Sequence, residues 1–360
     1  MTAFCEQTDL FVSGTGGYHT YRIPSIVSTP HGTVMMFCEG RKGSRSDTGD
    51  IDLLCKRSTD GGNTWSETRI VWDDSENTCG NPCPVVDEIT GTIWLLMTHN
   101  LGVDKESEII DRKSRGTRTI WVTSSKDDGL AWEEPVEVTK SVKAQNWTWY
   151  ATGPGAGIQL ASGRLVIPCD HIEAVSKRYF SHVIHSDDHG ETWKLGGTTP
   201  DDDVNECEAV ELKNGVVLLN MRNYDRDQKT RAVSVSSDGG NSWSHVMHDP
   251  ALIEPTCQAS IRRATRDGDY ILFSNPASQV ERENMTVRLS IDGCQSWGYS
   301  QILHPGPAAY SCLTVFPDGT IGCLYERGEF HSYERLTLAR CNLDWIMETC
   351  PRSETLGLIY

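Results

Sequence analysis

Six polar residues occupy equivalent places along the chain. Glu39, Thr98, Asp170, Arg222, Asn275 and Glu326 each lie seven residues beyond a glycine set between short apolar runs. Counting nine or ten residues back from the same glycines reaches Arg22, Asn81, Gly153, Glu206, Gln258 and Tyr310. A strand advances about 3.3 Å per residue, so seven residues carry it roughly 23 Å from its turn. Both sets therefore belong at one end of whatever the strands build, opposite the turns. Two arginines, Arg22 and Arg222, would meet there with Glu39, Glu206, Glu326 and Tyr310. Guanidinium forks brought together suit an anion. The alternative is a wet channel rimmed by neutralising ion pairs. A register slip of one residue would turn any of these side chains to the other face.

The elements that must carry these residues are strands. The apolar runs are short, as at 34–38, 93–97, 165–168, 216–220 and 270–273, and Gly, Asp, Asn and Ser bound them. No stretch gives a long amphipathic helix, so the chain reads as all-β. The glycines are Gly32, Gly91, Gly163, Gly215, Gly268 and Gly319, spaced by 59, 72, 52, 53 and 51 residues. Each follows a polar or small residue in a hairpin-like context, where glycine accepts the backbone angles of a tight turn. Six such signals predict a repeat of about 50–60 residues per unit.

A second repeat interleaves with the first. It has the form Ser-x-Asp-x-Gly-x-Thr-Trp, at 58–65, 125–132, 186–193, 236–243 and 290–297, with Ala131, Ser242, Cys294 and Ser296 as departures. Asp and Ser can bond nearby backbone N–H groups, and the Trp can pin the turn on the core. These residues read as structural turns rather than a metal or catalytic array, and Cys294 is expected to cost its turn little. Each unit becomes strand, hairpin, strand, strand, boxed turn, strand. Radial repetition of four-stranded antiparallel sheets makes a β-propeller. Six blades are expected in one domain over residues 1–360. The strand near Phe11 should close the ring, and Asn342-Leu-Asp344-Trp345 should be the remnant of a sixth box.

Composition narrows the class. The 360 residues carry a net charge of −17, which disfavours nucleic acid as a partner. No apolar run is long enough for a transmembrane helix. The 13 cysteines lack zinc spacing and read as mostly buried free thiols. The start has no signal-peptide pattern, so the expectation is a cytoplasmic protein as given, or a secreted one if a signal was trimmed. No cofactor or metal is implied.

The ordered segments Tyr21-Arg22-Ile23-Pro24, the five boxes, 149–155, 205–212, 219–222 and 306–310 resemble the exo-sialidase (neuraminidase) family of six-bladed Asp-box propellers, over essentially the whole chain. The resemblance implies hydrolytic release of terminal sialic acid from glycans. It places an arginine triad at Arg22, Arg222 and Arg282, with Arg288 as the alternative for the third. It makes Tyr310 the nucleophile, Glu206 its base and Asp47 the general acid/base, with Asp50 and Asp52 as alternatives to Asp47. Glu326 corresponds to the carboxylate that orients Arg22. Arg41 matches a sugar-contacting position, and Glu39 would brace Arg41 or touch substrate. Asn81 stands where relatives often carry Asp.

The substrate chemistry explains the set. Sialic acid bears a carboxylate on its anomeric carbon, which guanidinium forks can hold. A carboxylate nucleophile would be repelled there, whereas a neutral phenol would not. Its usual pKa near 10 demands a base. Expected partners are sialylated oligosaccharides, glycoproteins or glycolipids. A trans-sialidase, an inactive glycan-binding propeller and a protein-interaction propeller are the other readings.

Overall fold

The computed structural model describes residues 2–225, 227–265 and 268–348. Its strands form six four-stranded antiparallel groups arranged as the blades of a propeller. Blade one comprises Thr20–Ser28, Val34–Arg41, Ile51–Ser58 and Arg69–Trp72, and blade two Thr78–Val86, Ile93–Asn100, Thr119–Ser125 and Val136–Glu137. A single parallel bridge between Ile51 and Thr78 links these two blades. Blade three holds Trp147–Thr152, Leu165–Glu173, Tyr179–Ser186 and Lys194–Thr198, and blade four Val204–Glu211, Val217–Asn223, Thr230–Ser236 and Met247–Ile253. Blades five and six share the long strand Tyr299–Val315, whose first half pairs with Glu283–Ser290 and whose second half pairs with Ile321–Arg327. Ser260–Arg263 and Ile271–Pro276 complete blade five. Arg335–Cys341 and the N-terminal strand Cys5–Val12 complete blade six, with Phe11 opposite Leu336. The expected closure at Phe11 is therefore present, with Cys5–Val12 as the outermost strand of blade six.

Burial follows position in the blade. Thr78–Val86 and Val34–Arg41 are buried along their whole length, whereas the outer pair Val136–Glu137 is exposed. This is why the second strand of a blade reads as a continuous apolar run, as at Val34–Arg41, and the outermost strand Val136–Glu137 gives no such run.

The turns are built as their sequence suggests, with two differences. Gly32, Gly91, Gly163, Gly215 and Gly319 all have left-handed backbones, with φ between 76° and 92°. Gly268 does not adopt that conformation. In each boxed turn the Ser hydroxyl donates to the Asp carboxylate at 2.7–2.8 Å. The same hydroxyl accepts the N–H four residues on at 2.8–2.9 Å. The box tryptophans wedge between blades: Trp132 meets Phe37 edge-on at 5.5 Å, and Trp243 donates to Gly197 O at 3.0 Å. Cys294, however, sits at φ 70° in the glycine place. A left-handed residue with a Cβ costs about 1–2 kcal/mol, so the expected low cost is wrong; its buried thiol, packed in the cluster with Phe273 and Trp297, offsets part of that.

The expected sixth box is also corrected. Asn342 instead caps a short helix, Leu343–Met347, its Oδ1 accepting Trp345 N–H at 3.0 Å. Lacking the Ser-x-Asp spacing, this segment satisfies its N–H groups as a helix start. Twelve cysteines are free thiols, eleven of them buried; Cys350 lies outside the described residues.

Candidate active site

The innermost strands deliver the site through irregular backbone. In blade one the pairing runs Arg22↔Glu39 and then Ser25↔Phe37, three residues against two. Blades two, four and six repeat this bulge at 80–83, 204–207 and 308–311, around Asn81, Glu206 and Tyr310. Ile23 and Asn81 lie in the left-handed region at φ 58° and 51°. A bulge re-aims the side chains at one point of a strand. Here it does so at one level of the ring in four blades.

Tyr310 and Glu206 meet across the axis, the Tyr310 hydroxyl donating to Glu206 Oε1. Arg222, from the second strand of blade four, donates to Glu206 Oε2 at 2.7 Å and to the Tyr310 oxygen at 3.2 Å. Burial, then the charge of Glu206, pushes the Tyr310 phenol well above its ordinary value, against the pull of Arg222, Arg282 and Arg22. The phenol therefore keeps its proton in the free protein and holds it against Glu206.

Arg22 is gripped by Glu326, with Nε–Oε1 at 2.8 Å and Nη2–Oε2 at 3.2 Å. The Glu326 carboxylate also accepts Ile23 N–H at 3.0 Å and Tyr310 N–H at 3.1 Å, so one buried group sets Arg22 and the Tyr310 backbone together. The Arg22 guanidinium stacks 4.0 Å from the Tyr333 ring and 4.8 Å from the Tyr310 ring. Arg282 lies 5.8 Å from the Tyr310 ring and donates to Tyr333 Oη at 3.1 Å and Thr256 O at 3.3 Å. Arg288 instead reaches Asn275 Oδ1 at 3.1 Å. Arg22, Arg222 and Arg282 thus surround one phenol.

Asp47 comes from the loop joining the second and third strands of blade one. Its carboxylate is 2.7 Å from Arg41 Nη1 and 3.8 Å from Arg22 Nη1, and half-exposed. Desolvation alone would raise its pKa, but Arg41 and Arg22 outweigh it and hold the carboxyl below its ordinary value. Glu39 braces Arg41 through Nε at 2.9 Å and Nη2 at 2.6 Å, and accepts Asn81 N–H at 2.8 Å. Asp52 faces Tyr18 Oη at 2.6 Å and Lys42 at 3.1 Å, and Asp50 faces Lys42 at 2.9 Å. Both are held by Lys42 instead of by the arginine group. A cavity of about 510 Å³ opens beside Asp47, lined by Ser46, Lys105, Glu106, Ile110 and Tyr179.

Three participants, Arg118, Tyr333 and Tyr224, escaped the sequence reading, and a fourth, Asp170, has a place in the register but no role. Arg118 is buried, donates to Asn81 Oδ1 and to Thr98 Oγ1 at 2.9 Å, and stacks 3.9 Å over Trp149. Asn81 thus accepts from an arginine. Asp170 is a buried carboxyl whose pKa is raised by burial and then by Glu206. Tyr333 covers Arg22, and Tyr224 lies 4.9 Å from Arg222. Arg118 and Tyr333 follow loops outside the repeat register, so no spacing signal marked them.

A BNR repeat-like domain matches residues 32–323. A sialidase of Micromonospora viridifaciens is 35% identical over 96% of this chain, which spans only 55% of that relative. An exo-alpha-sialidase of Aspergillus fumigatus is 30% identical over 92% of this chain and 86% of its own length. Among solved structures, the Hadza microbial sialidase Hz136 superposes with TM-score 0.86 at 31% identity, covering 94% of this chain and 69% of that one.

Proposed function

Because the chain belongs to the exo-α-sialidase family of BNR-repeat propellers, we propose that it hydrolyses terminal α-linked sialic acids from glycans, with retention, through a covalent sialyl–tyrosine intermediate. The observation that carries this reading is the Tyr310 hydroxyl held between Glu206 and Arg222 inside a ring of three guanidiniums.

Arg22, Arg222 and Arg282 hold the substrate carboxylate. The Tyr310 oxygen attacks the anomeric carbon while Glu206 takes the phenolic proton. Asp47, protonated, delivers its proton to the departing glycosidic oxygen as that C–O bond breaks. Glycosidases ordinarily use two carboxylates for these tasks, and a tyrosine nucleophile is the sialidase exception. In the second half, Asp47 takes a proton from water, the water oxygen bonds to the anomeric carbon, and Glu206 returns its proton to the leaving phenolate. Arg41 braces Asp47 in the free protein and contacts the sugar ring once the acid has moved onto the leaving oxygen.

Release of a fluorogenic aglycone from a sialic acid α-glycoside tests the reading, with NMR of the first-formed sugar. Release with the α-anomer appearing first is expected. Absence of release from acidic to neutral pH, or a β-anomer first, overturns it.

A further inference from the structure

One layer below the Tyr310–Glu206 pair lies a second buried carboxylate that this mechanism does not use. Glu208 follows Glu206 by two residues on the innermost strand of blade four and is fully buried. Its Oε2 accepts Ser260 Oγ–H at 2.7 Å and Ile261 N–H at 2.8 Å, both from blade five. Its Oε1 accepts Ala156 N–H at 2.9 Å from blade three, and the Cys312 thiol of blade six lies 3.8 Å away. The partners extend the ring. Ser260 Oγ accepts Leu313 N–H at 2.9 Å, Cys312 Sγ accepts Ile26 N–H at 3.4 Å, and Ser25 Oγ donates to Gly155 O at 2.8 Å. Gly155 has no room for a side chain, since a Cβ would meet Glu208 Oε1 at 1.9 Å. Four blades thus converge directly on one carboxylate, and blade one joins through their neighbours.

We propose that Glu208 is the positioning residue for the catalytic pair, fixing the innermost strands of blades four and six so that Glu206 and Tyr310 meet; this rests on the reading of Tyr310 as nucleophile and Glu206 as base. Ser260, Ile261 and Ala156 each donate a hydrogen bond to Glu208, and the Cys312 thiol, which also lies 3.7 Å from Ile26 O, presents no acceptor it must avoid. A carboxylate satisfies them all, whereas an amide of equal size turns an NH₂ against one of the donors. Cys312 is two residues from Tyr310 just as Glu208 is two from Glu206, so a shift at the lower layer is transmitted along both strands. Misplacement of reacting groups by about 1 Å costs on the order of 100-fold in rate.

The test compares wild type with Glu208→Gln and Ser260→Ala. Each is assayed for kcat and KM on the fluorogenic sialoside, thermal midpoint, and affinity for an unreactive 2,3-unsaturated sialic acid analogue. For Glu208→Gln, kcat per analogue-binding site should fall about 10- to 100-fold. KM and analogue affinity should stay within about 3-fold, because Arg22 and Arg282 are held by other groups. Ser260→Ala should fall in the same direction by less, and it decides the matter should Glu208→Gln not fold. Unchanged kcat per site in the folded variants overturns the proposal. So does loss of kcat and analogue affinity in equal measure, which marks general disorder. An inactive wild type overturns the hydrolase reading; an active wild type with unaffected variants overturns the role of Glu208 alone.

Discussion

Tyr310 carries a proton that burial and Glu206 keep in place. In the proposed mechanism, attack therefore proceeds only as that proton moves to Glu206, which makes the two residues one unit. Tyr310→Phe removes the proposed attacking oxygen while keeping the ring that Arg22 and Arg282 stack against. Its kcat on the fluorogenic sialoside is expected to fall by at least about 100-fold with sialic acid affinity retained; titration calorimetry with sialic acid checks the second half. Asp47 gives a pH signature. Arg41 and Arg22 hold its carboxyl low in the free protein, yet the proposed acid role requires the protonated form. A bound substrate carboxylate screens Arg22, so the Asp47 pKa should rise in the complex. The free enzyme governs kcat/KM and the complex governs kcat. The basic limb of kcat/KM should therefore fall at lower pH than that of kcat, and Asp47→Ala should remove the limb. Coincident limbs would contradict the assignment.

Strands and turns show what a local pattern can specify. Each boxed turn forms from contacts within eight residues, so its sequence suffices to build it. In the fourth box, Asp238 accepts the Ser236 hydroxyl at 2.7 Å, Asn241 N–H at 3.0 Å, Ser242 N–H at 2.9 Å and the Ser242 hydroxyl at 2.6 Å. Although slight burial pulls the other way, these bonds lower its pKa to about 2. Unfolded Asp titrates near 3.9, so the turn's contribution is whole above about pH 4 and is lost as pH falls through about 2. Asp238→Asn should cost about 1 kcal/mol at neutral pH, a drop of roughly 1–2 °C in thermal midpoint. The difference from wild type should vanish below about pH 2, as calorimetry across that range would read. The bulges are the opposite case. Nothing in Tyr21-Arg22-Ile23-Pro24 announces that three residues face two, because the irregularity exists only against the neighbouring strand.

The ring as a whole is closed by Cys5–Val12, which docks on Arg335–Cys341 and buries Leu10 and Phe11. Asp9 joins this seam to Thr337 at 2.6 Å, Arg327 at 3.0 Å and Arg335 at 3.1 Å. Removing residues 1–12 would leave Arg335–Cys341 as an exposed strand edge, a template for association. The shortened chain should unfold at lower temperature and form oligomers that size-exclusion chromatography with light scattering detects. An equally stable monomer would mean that the seam contributes little. The amino-acid sequence by itself determined the blades: glycines at hairpins, boxed turns and apolar runs are short-range devices, and their spacing is enough to count six units. It also marked the level at which Glu39, Arg222, Glu326 and Tyr310 stand, because seven residues beyond a fixed turn, or nine before it, is a length. Only the tertiary structure decided what those residues touch. The stacking of Arg118 on Trp149 and the Glu208 hub are contacts set by how segments pack in three dimensions. They join residues of different blades, up to 104 apart along the chain. No local period encodes such contacts, since they arise from closing the ring and bringing the innermost strands together on one axis.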